Sequence, residues 1–192
     1  MIKGELLRKA IHILIALVPF LASCDLSGTA LLLMAGILFY TCAESMRFLG
    51  FFPPVISSIT AIVLRRREQG RFALAPVTLG IGAFLTIILF PPQIAAACVY
   101  ILAFGDSAGT IIGKFIGRFR PAFLAGKSIE GSIACLLVSF TAVYIIFNDW
   151  KVSLAAGFAA LITDILPLGD FDNIVMPLFS GLSISLFFIL QA

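Results

Sequence analysis

The chain has 192 residues, 61% of them apolar and only 12% charged, and its mean hydropathy is +1.13. A soluble domain of this size carries about 45–50% apolar and about 25% charged residues, so a water-soluble globule is excluded. The net charge of +3 is modest, and the basic residues sit at the edges of apolar runs without interleaved exposed aromatics, which argues against nucleic-acid binding and for membrane headgroups.

The apolar runs in chain order are Ala10–Ser23, Thr29–Ala43, Phe51–Leu64, Phe72–Phe90, Ile94–Phe104, Gly131–Phe147, Val152–Leu166 and Ile174–Leu190. Several fall short of the ~20 residues that cross an average bilayer, so their ends must extend into flanking polar residues. No polar linker, repeat or low-complexity tract divides them, and residues 1–192 read as a single integral-membrane domain. Phe51–Leu64 is opened by Pro53-Pro54 and followed by Arg65-Arg66-Arg67. If that segment lies in the interface or re-enters, Lys3, Arg8, Lys9, Arg47, Arg65, Arg66, Arg67, Arg71, Lys114, Arg118, Arg120 and Lys127 share the cytoplasmic side. Only Lys151 is then outside. The expected fold is therefore all-α: a polytopic transmembrane helix bundle of about seven spans plus a short interfacial or re-entrant helix near 51–64. The N-terminus is cytoplasmic and the C-terminus on the opposite side, where Tyr144, Phe147 and Trp150 join the aromatic belt.

Some signals are weak. Leu21-Ala22-Ser23-Cys24 ends a first span rather than a cleaved signal, because the rest of the chain is already membrane-embedded. Cys24, Cys42, Cys98 and Cys135 form no CxxC and read as buried small hydrophobes. A single histidine cannot build a zinc cluster. "AGKSIEG" at 125–131 fails as a Walker A loop, since Pro121 stands where its first glycine belongs.

Four polar clusters remain, all cytoplasmic in this topology. In "LLRKAIH", Arg8 and His12 share a helix face at i and i+4, with Lys9 adjacent. In "GDSAGTIIGKFIGRFR", Gly105, Gly109, Gly113 and Gly117 form a four-residue ladder that permits close helix approach. That ladder serves a homodimer as readily as an internal contact. Asp106, Thr110 and Lys114 form a polar ridge beside it, and packing does not require Asp106 close to hydrocarbon, where an ionised side chain costs about 2.5–3.5 kcal/mol on insertion scales. "GKSIEGS" supplies Lys127, Ser128, Glu130, Gly131 and Ser132 in a donor-rich turn suited to phosphate oxygens, with Ser128 a credible helix cap. "TDILPLGDFDNIVMP" carries Asp164, Asp170, Asp172 and Asn173, with Pro167 and Pro177 interrupting regular helix. Its oxygen ligands suit Mg²⁺ bridging to substrate phosphates.

"LRKAIH" at 7–12, "GDSAGTIIGKFIGR" at 105–118, "GKSIEGSIA" at 126–134 and "DNIVMP" at 172–177, in this order and spacing, resemble the polyprenol kinase family. That family includes dolichol kinase, phytol kinase and the CTP-dependent diacylglycerol kinases. The resemblance implies a multi-pass enzyme moving the γ-phosphoryl of CTP onto a lipid alcohol. It places the family's functional pair on Arg8 and Lys9, its acidic and glycine positions on Asp106 and Gly113, and its phosphate loop on Lys127, Ser128, Glu130 and Gly131. Where many relatives end the sixth span with a glutamate, this chain has Thr163-Asp164.

The residues themselves agree with phosphoryl transfer, which consists mostly of positioning and charge neutralisation. Arg8, Lys9, Lys114 and Lys127 are the candidate cations, and Asp106, Asp172 and Asp164 the candidate Mg²⁺ ligands. Asp106 or Glu130 is the candidate acceptor of the alcohol's proton. Gly105, Gly109, Thr110, Gly113, Ser128, Gly131, Ser132, His12 and Asn173 complete the nucleotide-binding set. Two alternatives share the composition: a phosphatidate cytidylyltransferase-like enzyme and a small anion transporter with broken helices.

Overall fold

A computed structural model describes residues 2–51, 72–124 and 126–191. Among the described residues all regular structure is helical, with no strand. The chain begins with α1 (Ile2–Ile13), a 3₁₀ turn (Leu14–Leu17), α2 (Val18–Cys24) and α3 (Leu26–Phe48). After the undescribed stretch come α4 (Ala75–Leu89), α5 (Pro92–Tyr100), a π turn (Ile101–Gly105) and α6 (Asp106–Phe115). α7 (Ile129–Phe147), α8 (Trp150–Ile165) and α9 (Asp172–Gln191) complete the bundle.

Local chemistry sets these boundaries. Ser128 Oγ accepts from Gly131 N at 3.1 Å and starts α7. Asn148, at φ 50°, adopts the left-handed conformation that ends α7. One residue later Asp149 Oδ1 caps α8, accepting from Lys151 N at 2.8 Å. Leu166 is extended because the ring of Pro167 disfavours helix at the preceding residue, and α8 stops there. Pro177, expected to interrupt the last span, lies inside α9 instead. It sits in the second turn, where its missing N–H removes the main-chain hydrogen bond to Asn173 O.

α5, the π turn and α6 form one helical segment, Pro92–Phe115, which is the axis of the bundle: it is 67% buried, whereas α3 is 11% buried. Ile94, Ala97, Cys98 and Ile101 on that axis pack with Cys135 and Val143 of α7, Val152, Ala156 and Ala160 of α8, and Met176 and Ile184 of α9. A smaller cluster of Val18, Ile87, Ala95 and Val99 joins α2 and α4 to the opposite side. Cys24 and Cys42 are exposed and only Cys98 and Cys135 are buried, so burial holds for half of the cysteines.

The glycine ladder meets α7. A Cβ on Gly131 would lie 2.6 Å from Gly109 O and 2.9 Å from Gly113 Cα, so the two backbones touch. The face is consumed within the chain and is not available to a second copy.

The expectation of seven spans needs correction. Among the described residues four helical segments are long and apolar enough to cross a bilayer: Leu26–Phe48, Pro92–Phe115, Ile129–Phe147 and Gly169–Gln191. The 3₁₀ turn divides the first apolar run, and α4 and α8 have 15 and 16 residues. The interfacial helix expected near 51–64 lies, beyond Phe51, outside the described residues, as do Arg65, Arg66, Arg67 and Arg71.

Candidate functional site

The axial helix places an acid beside the N-terminal helix. At the π turn, Asp106 N donates to Ile101 O, five residues back, which widens the helix at this point. Single π turns recur at functional positions because they re-aim the side chains that follow. Asp106 is buried, and its Oδ2 accepts from Lys9 Nζ of α1, 97 residues away in sequence. His12 Nε2, one turn on, lies 3.2 Å from the same Oδ2 and 3.0 Å from Leu102 O. Both neighbours are acceptors, so Nε2 carries the proton and donates. Among the described residues Asp106 Oδ1 has only a long contact, 3.5 Å, with Thr110 Oγ1. It is therefore the less engaged oxygen.

A cavity of about 290 Å³ opens above this cluster, lined by Arg8, Lys9, Asp106, Thr110, Lys127, Leu166, Pro167, Gly169, Asp170, Asp172 and Asn173. All four sequence clusters contribute to it. A neighbouring cavity of about 200 Å³ is lined by Gly109, Gly113, Gly126, Gly131, Thr110, Lys114, Arg120, Lys127, Ser128, Ser132 and Asp164. Thr110 and Lys127 border both. Lys127 Nζ donates to Asp164 Oδ1 at 2.8 Å and also to the Asp164 carbonyl, at the end of α8. Ser132 Oγ donates to Asp164 Oδ2 at 3.2 Å.

Several expected ligands are occupied with the protein itself. Glu130 lines neither cavity; its Oε1 accepts from Arg118 N at 3.0 Å and Phe119 N at 3.2 Å, tying the turn after α6 to the start of α7. That places it apart from Asp106, the other candidate proton acceptor. Asn173 lines the first cavity, but its Nδ2 donates to Thr78 Oγ1 at 3.0 Å and Ala75 O at 3.3 Å, pinning α9 to α4. Gly105 packs against Ser139, where a Cβ would lie 2.3 Å from Oγ, and lines neither cavity. Gly109, Gly113 and Gly131 let the backbones approach and floor the second cavity.

Sequence reasoning missed two features. Arg120 Nη1 donates to Gly126 O at 2.7 Å and Nη2 to Gly113 O, clamping the 126–128 loop onto α6. Nothing distinguished it from the other basic residues of that stretch. Glu44, fully buried, takes Arg47 Nη2 at 2.6 Å, Arg47 Nε at 2.7 Å and Ala73 N at 2.8 Å. An acid three residues before an arginine at a span end was the available signal.

No group of three His, Cys, Asp or Glu residues able to hold a metal exists among the described residues. Mg²⁺ is commonly held by one or two carboxylates, with waters and substrate phosphates completing its shell. Asp106 and Asp172, sharing the first cavity, fit that pattern. Asp164 does not, since both of its oxygens are taken by Lys127 and Ser132.

No protein-family model and no solved structure matches the chain. It is similar to CTP-dependent diacylglycerol kinase 1 of Schizosaccharomyces pombe, 25% identical over 118 residues that cover 53% of this chain and 54% of that protein. The match thus spans about half the length of the relative. This likeness, the apolar helices and the shared cavity support a helical membrane protein related to the lipid kinases, without selecting a member.

Proposed function

We propose that the protein phosphorylates a membrane lipid alcohol, an isoprenoid alcohol or diacylglycerol, with CTP as donor. The observation that carries this reading is the convergence of Arg8, Lys9, Asp106, Lys127 and Asp172, from well-separated segments, on one cavity. Phosphoryl transfer needs cations around the transferred group and a carboxylate near the nucleophile. A transporter site would require neither at a single end of the bundle, and the name of the curated relative points the same way.

In this reading the donor's phosphates lie along the glycine-floored second cavity, between Lys114 and Lys127. The γ-phosphoryl then reaches the boundary at Thr110 and Lys127, and Arg8 neutralises it from the first cavity, where Lys9 stays paired with Asp106. The alcohol oxygen attacks the γ-phosphorus, the bond to the β-bridging oxygen breaks, CDP leaves, and the hydroxyl proton passes to Asp106 Oδ1. Asp172 would hold Mg²⁺, which would supply charge neutralisation to the donor's phosphates. Arg8, Lys9, Lys114 and Lys127 share the end of the bundle that carries the cavities, while Lys151 opens α8 at the other, which favours a cytoplasmic site and N-terminus.

The test uses purified protein with CTP labelled at the α- or γ-phosphate, Mg²⁺, lipid alcohols and phosphatidate. Label from the γ-position alone in an alcohol supports the kinase. Label from the α-position in phosphatidate identifies a cytidylyltransferase, and label in neither lipid overturns both enzymatic readings.

A further inference from the structure

Eight of the residues that line the first cavity are polar or charged. Among the described residues its apolar side chains, Leu166 and Pro167, come from one place, the end of α8. Outward from that lip the same helix shows a single ridge. After Lys151 its exposed residues are Leu154, Phe158 and Ile162, and Leu166 just past the helix end continues the four-residue spacing, at 37%, 48%, 49% and 45% exposure. Residues four apart stack on neighbouring faces of a helix, so they trace one inclined line. Flanking that row, Ala155, Leu161 and Ile165 are half-buried, and Val152, Ser153, Ala156, Gly157, Ala159, Ala160, Thr163 and Asp164 are buried. Its 16 residues span about 24 Å at 1.5 Å each, so the ridge enters the hydrocarbon layer without crossing its ~30 Å.

We propose that this ridge is the track for the substrate's hydrocarbon chain. The hydroxyl turns over the Leu166–Pro167 lip into the cavity, and the chain descends past Ile162 and Phe158 to Leu154. The inference rests on the lipid-alcohol reading above and adds the recognition surface to it. Ile133, Leu137, Thr141 and Ile145 of α7 are exposed at the same spacing, so it is the end on the cavity lip that separates a track from ordinary lipid contact, as α3 also shows. There Leu31, Leu32, Leu38 and Phe39 are exposed side by side at 61–69%, in no single file, and none lines the cavity. On α8 one row of side chains connects hydrocarbon depth to the polar site. The last turn of the helix also carries, on its inner side, the Asp164 carboxylate that holds Lys127. Seating a chain on Leu166 therefore places its hydroxyl within one helical turn of that lysine.

The test is photo-crosslinking of the full chain in phosphatidylcholine nanodiscs. The probe is a long-chain primary alcohol bearing a diazirine near the hydroxyl, at mid-chain or near the tail tip. The expected result is graded: adducts at Leu166 and Pro167 for the first probe, at Ile162 and Phe158 for the second, and at Leu154 for the third, all competed away by unlabelled alcohol. Adducts that appear equally on Leu31 or Leu38, or that resist competition, identify bulk-lipid contact and overturn the proposal. In steady state, Phe158→Ser and Ile162→Ser should each raise KM for the long-chain alcohol roughly tenfold. KM for the nucleotide, and turnover of a short water-soluble alcohol, should not change. A parallel rise for the short alcohol overturns the track. Absence of phosphorylation by the unmodified protein refutes the kinase reading, while the crosslink pattern still decides the ridge.

Discussion

The site contains two lysine–aspartate pairs that differ in how deeply they are set. Lys9 and Asp106 are both enclosed, their side chains 2% and 9% exposed. Lys127, facing Asp164, is 36% exposed while its partner is 6% exposed. Breaking an enclosed pair strands a charge in low dielectric, at a cost of about 3–5 kcal/mol. A half-exposed lysine can instead exchange one set of oxygens for another at little cost. The first pair is thus a fixed anchor that ties α1 to the axial helix. The second holds its cation on a carboxylate and a main-chain carbonyl, oxygen acceptors of the kind a phosphate would present.

That contrast can be broken in graded ways. Asp106→Asn should have the largest effect: γ-label transfer falls to background, and a thermal-shift or proteolysis assay shows destabilisation of about 3–5 kcal/mol because Lys9 loses its counter-ion. Wild-type transfer in this variant would remove Asp106 from the mechanism. Gly131→Ala comes next, since its methyl would sit 2.6 Å from Gly109 O. Helix separation should cost several kcal/mol by overpacking and abolish activity along with stability, read in the same two assays. Lys127→Ala should lower kcat/KM for the nucleotide about a hundredfold, roughly 2.7 kcal/mol, while stability changes little. If its stability falls as far as that of Asp106→Asn, the two pairs are equivalent and the contrast is wrong. Asp164→Asn keeps a side-chain acceptor for Lys127, and the expected loss is about tenfold; a complete loss would return Asp164 to the metal ligands. Smallest is Glu130→Gln, a few-fold change, because the loop amides of Arg118 and Phe119 keep a neutral acceptor. Its turnover falling to background would restore Glu130 as the proton acceptor.

Much of the site was legible in one dimension because its chemistry is expensive in hydrocarbon. Asp106 beside a run such as "VYILAF" demands a reason wherever it folds, and the four-residue glycine ladder signals close packing before any partner is known. The π turn was not legible: Ile101–Gly105 differs in no residue type from an ordinary apolar helix turn, and only the folded backbone shows the bond from Asp106 N to Ile101 O. Nor was the difference between a ligand and a brace. Glu130, Asn173 and Ser132 are the residue types that bind phosphates and metals, yet here they hold loops and helices to one another. The span count failed because hydropathy registers apolar length and not helix continuity, which Leu14–Leu17 interrupts.

By itself the amino-acid sequence determined the solvent in which this chain folds, the helical class that solvent imposes, and the segments where polar chemistry would gather, since each follows from transfer free energies of individual residues. Only tertiary structure decided which charges meet. Lys9 finds Asp106 and Lys127 finds Asp164 across 97 and 37 residues of chain, and such pairings depend on the packing of small residues between helices, where sub-ångström differences in approach decide which side chains are within reach.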